Sequence, residues 1–316
     1  MTYVLRRCLI AAGLVWVVAT LIFLMLRIVP GDPAELLLSG GGVAPAPEAV
    51  AELRERLGLT RPLHVQYLDF MGQIVRGNLG TSLLDEHAVA EEVARRLPRT
   101  VELILAAAVL AVLVGLPLGV FAALTRGRGV DRALSTAASF NLSVPVFVTG
   151  TLLILVFAQK LRWVPAGGHV AFTQDPAGHV LNLMMPAVTI AVGLSAVLFR
   201  MVRTTVLDTL DRDWVRTARA KGLAPAQVLR RHVVRNSLGP VVTVLGLHMG
   251  TLLGGTVLVE YVFNWPGLSG FLVRAVEQRD YPEVQGIVLV ISTLFIGLNL
   301  VVDLLYAVLD PRVRHR

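Results

Sequence analysis

The chain has 316 residues, 55% of them apolar and only 16% charged. That leaves too little polar surface for a soluble protein of this length and makes a polytopic membrane protein the expected class. The net charge of +7 does not point to nucleic acid, because the basic residues gather in short connections between apolar runs. Cys8 is the only cysteine, which excludes an intrachain disulfide and a cysteine-based metal cluster.

Arg6 and Arg7 open the chain, followed by an apolar run, Cys8–Val29, that is longer than a signal-peptide core. No Ala-x-Ala site follows it, so an uncleaved membrane anchor is expected. Residues 30–98 are too long for a simple loop. Within them, Pro47–Gly58 opens on proline and acids and closes on glycine, as a short amphipathic helix does. Val65–Val75 has apolar residues at helical spacing and is expected to lie along the membrane surface. This segment is either a packed cap or a docking surface. Five further apolar runs follow, at Thr100–Leu124, Leu134–Gln159, Leu181–Met201, Pro240–Val262 and Val284–Leu309. At 1.5 Å per residue each is long enough for about 30 Å of hydrocarbon. Pro117, Pro145 and Pro186 interrupt them, as membrane helices tolerate. The expected fold is all-α with six transmembrane helices. It divides into a first helix (1–29), an external segment (30–98), a five-helix core (99–309) with a loop at 202–237, and a tail (310–316).

Arginine counts orient the spans. Arg6 and Arg7, then Arg126, Arg128 and Arg132, then Arg312, Arg314 and Arg316 mark one side. The 202–237 connection adds eight basic residues there, against Asp208, Asp211 and Asp213. On the other side, 161–180 has only Arg162, and 263–283 has Arg274 and Arg279. Both termini are therefore expected in the cytoplasm. Arg95, Arg96 and Arg99 run against this pattern, although 30–98 as a whole is acidic, with ten Asp and Glu against six arginines.

The most informative stretch is Asp213-Trp-Val-Arg-Thr-Ala-Arg-Ala-Lys-Gly222. Asp211 and Asp213 suit a helix N-terminus, and Arg219 and Lys221 suit its carbonyl end. Gly222 can take the left-handed conformation that stops the helix, and Pro225 suits the first turn of a second one. That second helix runs through Val228, Leu229 and Val233 and displays Arg230, Arg231 and Arg235. The small residues Thr217, Ala218 and Ala220 are expected to let a partner approach closely. The geometry argues against a DNA-binding helix-turn-helix, because both ends are tethered by spans and no symmetric pair of recognition helices is evident. Composition alone leaves open a charged loop that only fixes topology.

An ordered set of motifs runs along nearly the whole chain: Val29-Pro-Gly-Asp-Pro-Ala34, Leu57-Gly-Leu-Thr-Arg-Pro-Leu63 with Val65-Gln-Tyr67, and Gly77-Asn-Leu-Gly-Thr-Ser82. Leu97-Pro-Arg-Thr-Val-Glu-Leu103 and the loop with His232 and Asn236 come next. Trp265-Pro-Gly-Leu268, Arg279-Asp-Tyr-Pro282, Val284-Gln-Gly286 and Leu309-Asp-Pro-Arg312 complete the set. Together with Arg-Thr-Ala-x-x-x-Gly from Arg216 to Gly222, they resemble the first transmembrane subunit of the dipeptide/oligopeptide/nickel branch of ABC import permeases. The resemblance implies the type I importer fold. It also implies an ATPase-coupling loop made of Asp213, Arg216, Thr217, Ala218, Arg219, Ala220, Lys221 and Gly222. The implied partners are a homologous second permease subunit in a heterodimer, two ATP-binding cassette subunits that use ATP and Mg, and an extracytoplasmic solute-binding protein. The implied location is a bacterial inner membrane, and the implied cargo a di- or oligopeptide or a related solute such as a nickel chelate or haem. One departure is Arg216-Thr-Ala218 where the loop's name-giving Glu-Ala-Ala would stand, so glutamate contacts are not carried over.

Lys160 precedes Leu161 and Lys221 precedes Gly222, so neither lysine has phosphate-loop context, and any ATP is expected to bind another polypeptide. No two of the seven histidines are spaced i, i+4, and there is no G-x-S-x-G elbow, so neither a helical zinc site nor an enzyme is expected. Polar residues within spans that are candidates for a translocation path are Asn141, Ser143, His248, Thr251 and Asn299. Asp303 lies near the cytoplasmic end, and Gly246, Gly250 and Gly254 allow close helix approach. The alternative function is an ion-coupled secondary transporter. It would need ionisable groups deep in the spans and repeated halves, and only His248 lies near a span centre.

Overall fold

The computed structural model describes residues 2–28, 34–35, 46–56 and 58–309; Val29 and the Leu309-Asp-Pro-Arg312 motif beyond Leu309 lie outside them, as does most of 30–45. Among the described residues the regular structure is helical, apart from one isolated antiparallel bridge between Thr81 and Ala88. In chain order the helices are α1 (Thr2–Ile28), α2 (Pro47–Arg56), α3 (Leu63–Val75), α4 (Val89–Leu124), α5 (Gly129–Ser143) and α6 (Val146–Lys160). They continue with α7 (Pro176–Leu210), α8 (Asp213–Ala220), α9 (Pro225–Gly255), α10 (Val257–Val262), α11 (Leu268–Glu277) and α12 (Tyr281–Leu309). Among the described residues, five helices are long and apolar enough to cross a membrane, or six if the bent pair α5–α6 is one span.

Three expected boundaries are corrected. The run Leu134–Gln159 is not one straight helix, because α5 and α6 meet at 101°. Pro145 clashes with a helical Val144, which takes extended angles (φ −85°, ψ 124°), so the helix ends there and restarts at Val146. α9 begins at Pro225 rather than Pro240, so the second loop helix is the first part of the fifth span. The same span stops at Gly255, and α10 is a separate helix. Pro117 and Pro186, by contrast, lie inside continuous helices.

The chain forms two compact units, residues 1–97 with 271–296 and residues 98–270 with 297–316. In the first, α3 packs against α1. Phe23 meets Tyr67 edge-on at 5.2 Å between ring centroids, and the Thr20 and Tyr67 hydroxyls are 2.8 Å apart. Phe70, Met71 and Ile74 join Ala19, Ile22 and Leu289 in one apolar cluster, while Leu63, Leu68 and Val75 stay exposed. Two motifs meet at Asp280. One carboxylate oxygen accepts from Ser82 Oγ (2.6 Å) and from the Leu83 amide (3.0 Å). Two of the three arginines that broke the charge pattern are paired here: Arg95 and Arg96 both bond Glu92, and Arg96 lies 4.6 Å from the Phe271 ring centroid.

In the second unit α7 is central, with α5, α6 and α9 packed on it. Gly246 of the expected glycine seam faces Val302, where a Cβ would clash, so at that point the seam is internal. Gly254 is exposed. Trp265 is 2% exposed and donates its indole N–H to the Arg99 carbonyl (3.1 Å). His169 lies edge-on to Trp265 at 5.1 Å. Burial first, then the neighbouring positive charge of Arg99, lowers its pKa, so the ring is neutral at pH 7.

A buried polar pin of this unit is Glu260, 1% exposed in α10. Its carboxylate accepts from Thr100 Oγ1 (2.7 Å) and from the amides of Ser269 (2.8 Å) and Gly270 (3.1 Å). Thr100 Oγ1 accepts in turn from the Leu268 amide at 2.9 Å. Removing the carboxylate strands three buried donors at roughly 1–3 kcal/mol each, partly relieved by relaxation. Glu260→Ala is therefore expected to lower the melting temperature of the purified protein clearly, and Glu260→Gln, which keeps one acceptor oxygen, to fall between. Equal melting temperatures for all three would contradict this pin.

Candidate coupling site

α8 is a short helix with two distinct faces. Val215 (0% exposed) and Ala218 (7%) stand three apart and point into an apolar cluster with Val202, Val206, Val228 and Val233. Asp213, Arg216, Thr217, Arg219, Ala220 and Lys221 are exposed. A hydrophobic stripe at i, i+3 fixes the helix, and the charges fall on the opposite side. Of the three small residues expected to admit a partner, Ala218 is corrected: the close approach it permits is to the protein's own core. Thr217 and Ala220 remain outward.

The helix ends follow local chemistry. Arg212 is extended ahead of the first turn, which Asp213 opens with its negative charge at the amide end. Thr217 Oγ1 donates to the Asp213 carbonyl at 3.0 Å. At the far end the Lys221 amide donates to Thr217 O (3.0 Å) and the Gly222 amide to Arg219 O (2.9 Å). Gly222 then takes φ +78°, as its position required, with nothing within 4 Å of where a Cβ would be. Substitution there costs backbone strain and not a clash. Pro225 starts α9, and Val228–Val234 form a widened, π-type turn that buries Val228 and Val233 beneath α8. Ser237 Oγ lies 2.9 Å from Val233 O and 3.1 Å from Thr209 Oγ1, tying α9 to the end of α7.

Electrostatically, the outward face carries Arg212, Arg216, Arg219 and Lys221 against Asp211 and Asp213. The one pair within α8, Arg216 to Asp213 at 3.5 Å, is highly exposed and contributes little to stability. Arg126, from the α4–α5 connection, reaches Asp211 at 3.8 Å, so that connection borders this face. Trp214 is 42% exposed on α8, its ring 6.3 Å from His232. An aromatic in a basic helix was the signal for it, and exposed Trp and Arg are the residue types that anchor protein contacts.

The candidate path residues are spread over α5 (Asn141, Ser143), α9 (His248, Thr251) and α12 (Asn299). Ser143 Oγ donates to Ser139 O (3.1 Å) and Thr251 Oγ1 to His248 O (2.8 Å), so both hydroxyls are satisfied on their own helices. His248, Asn141 and Asn299 are half-buried. None of the five lines the charged cavity of about 570 Å³ in the first unit, which is bordered by Asp85, Glu91, Glu92, Arg95, Arg274 and Glu283 among others.

Two family models cover the protein. Residues 115–315 match the binding-protein-dependent transport system inner membrane component, and residues 1–104 match the N-terminal model of the same system's membrane component. The di/tripeptide transport system permease protein DppB of Pseudomonas aeruginosa is 41% identical, over 95% of this chain and 94% of that protein. The glutathione transport system permease protein GsiC of Salmonella choleraesuis is 40% identical over the full length of both. Among solved structures, the inward-facing MetNI methionine ABC transporter superposes with a TM-score of 0.57 at 18% identity, over 69% of this chain and 96% of that one. At that identity the likeness speaks for the fold alone. Full-length permease relatives favour a subunit of an ATP-driven importer over an ion-coupled carrier that works alone. The chain belongs to the inner-membrane components of binding-protein-dependent transport systems, the permease subunits of ABC importers.

Proposed function

We propose that this protein is the translocation subunit of a short-peptide importer in a bacterial inner membrane, driven by separate ATPases that engage the outward face of α8. The two-faced build of α8 carries the reading. Its buried side is locked to α7 and α9 by Val215 and Ala218, so a push on its charged side is transmitted to the spans. Asp213, Arg216, Thr217, Arg219, Ala220, Lys221 and Trp214 form the contact, and Gly222 sets the angle of the helix. Short peptides are the proposed cargo because relatives named for di/tripeptides and for glutathione, itself a tripeptide, are equally similar. A homologous second permease subunit completes the path, since the candidate lining residues sit on three separate helices. A solute-binding protein delivers cargo outside, as the family description suggests. Two ATP-binding cassette subunits bind ATP and Mg inside, because neither Lys160 nor Lys221 has phosphate-loop context.

Arginine asymmetry puts both termini and α8 in the cytoplasm. A reporter fused after Arg316 is expected to be active only there, and one inserted at the exposed Gln174 only outside. An external C-terminus would overturn the assignment. The purified subunit alone is expected to bind no ATP, and saturable, magnesium-dependent hydrolysis by it would refute the division of labour.

The coupling role is tested at Gly222. Valine there meets the left-handed backbone penalty of about 1–2 kcal/mol, with added strain from its β-branch. Gly222→Val should reach the membrane at normal levels, yet lose most uptake and most substrate-stimulated ATP turnover in the assembled transporter. Gly222→Asn, whose side chain tolerates that backbone, should retain both. Wild-type uptake by the valine variant would leave the loop as a topological charge cluster only.

A further inference from the structure

Away from the coupling site, three side chains distant in sequence converge in the second unit: Glu102 on α4, His169 in the α6–α7 connection, and His179 in the first turns of α7. One donor atom from each lies within 4.8 Å of the other two. His179 is 4% exposed, and Glu102 and His169 are half-buried. His179 Nδ1 lies 2.7 Å from the Val170 carbonyl, which can only accept, so Nδ1 carries the proton. Its Nε2 lies 2.7 Å from Glu102 Oε1, a contact that takes either a proton on Nε2 or a cation bound by both atoms. As it stands that contact is closed by a proton; a cation can take the proton's place because a third donor, His169, lies within reach of both atoms. A backbone carbonyl fixing the far nitrogen of a buried histidine, with its near nitrogen aimed at further donors, is the outer-sphere arrangement of metal-ligating imidazoles.

The surroundings fit such a centre. The His169 ring is edge-on to His179 at 5.6 Å, and Trp265 and Phe172 stand beside the two rings at 5.1–5.6 Å. Trp265, 2% exposed, closes the inner side of the group, while Glu102 keeps one side open to solvent. Asp175 caps the first turn of α7, accepting from the Gly178 amide at 3.0 Å, and so holds His179 in place.

We propose that Glu102, His169 and His179 form a binding site for a first-row divalent cation of the zinc type, with a fourth position left to water. Two imidazoles and one carboxylate are the donor set of open zinc sites. They suit cobalt and nickel as well, and exclude magnesium and calcium, which take oxygen ligands. Metal bonds of about 2.0–2.1 Å in a tetrahedron place donors about 3.4 Å apart. The Nε2–Oε1 contact therefore opens slightly and His169, carried on a connection, rotates inward. Bound there, the cation ties the α6–α7 connection to α4 and α7. This assignment does not depend on the cargo or on the coupling role of α8.

The test uses the full-length chain without a histidine tag, in nanodiscs and stripped with chelator, titrated with Co²⁺ and then Zn²⁺. One equivalent of Co²⁺ should produce the visible absorption of a low-coordinate cobalt centre, and Zn²⁺ should bleach it. Zn²⁺ should also raise the melting temperature. Glu102→Gln and His169→Ala should each weaken binding at least roughly tenfold and abolish the thermal shift. His64→Ala, on the exposed side of α3, should change neither. Glu102→Gln is isosteric, so a folding defect in His169→Ala leaves the test intact. Absence of saturable binding to the unmodified chain would overturn the site and leave His179 and Glu102 as a plain ion pair. Binding that survives Glu102→Gln would overturn it equally.

Discussion

A backbone that crosses hydrocarbon has to satisfy its own amides and carbonyls, and every break in a helix must find its partners nearby. Buried breaks in the chain, within the spans or beside them, make the same demand, and three buried acids meet it. Asp131 accepts from the Gly127 amide at 3.0 Å and from the Arg203 guanidinium at 2.7 and 2.8 Å, closing the turn between α4 and α5. Asp280 takes the Leu83 amide and the Ser82 hydroxyl. Glu260 takes the first amides of α11. Each carboxylate sits where the chain changes direction and holds segments far apart in sequence.

This explains why several sequence motifs are polar in so apolar a protein. Thr100 in Leu97–Leu103 serves both Glu260 and the Leu268 amide of Trp265–Leu268. Ser82 and Asp280 likewise join two motifs nearly 200 residues apart, bonded at 2.6 Å. These residues build the frame. Against that frame α8 stands out, because among the described residues its charged groups make almost no bonds beyond the exposed Arg216–Asp213 pair. A helix pinned on one side and unspent on the other is suited to carry force between a soluble partner and the spans.

Much of this was legible beforehand where local chemistry decides the conformation. The start of α8 at Asp213, its stop at Gly222 and the restart at Pro225 depend on residues within a few positions and fold as read, whereas Asp211 caps the end of α7 instead. Misreadings arose where distant packing decides. Ala218 looks like an open surface residue until Val215, three before it, is seen to share its buried face. Arg230, Arg231 and Arg235 masked the continuity of α9, because charges at a helix start lower its apolar signal without breaking the helix. Pro145 looked like the other span prolines, yet there the chain bends by 101°. The Glu102–His169–His179 convergence was invisible, since a search for i, i+4 pairs cannot find ligands brought together from two helices and a connection.

The central claim is that the outward face of α8 is the contact with the ATPase. The chain's single cysteine, Cys8, can be replaced, allowing one cysteine to be placed at will. Arg219→Cys in the assembled transporter should form a crosslinked adduct with the ATPase subunit under a short-span reagent, in a yield that changes when ATP is bound. Arg132→Cys, on α5, should yield far less. An adduct at Arg132 with none at Arg219 would contradict the account.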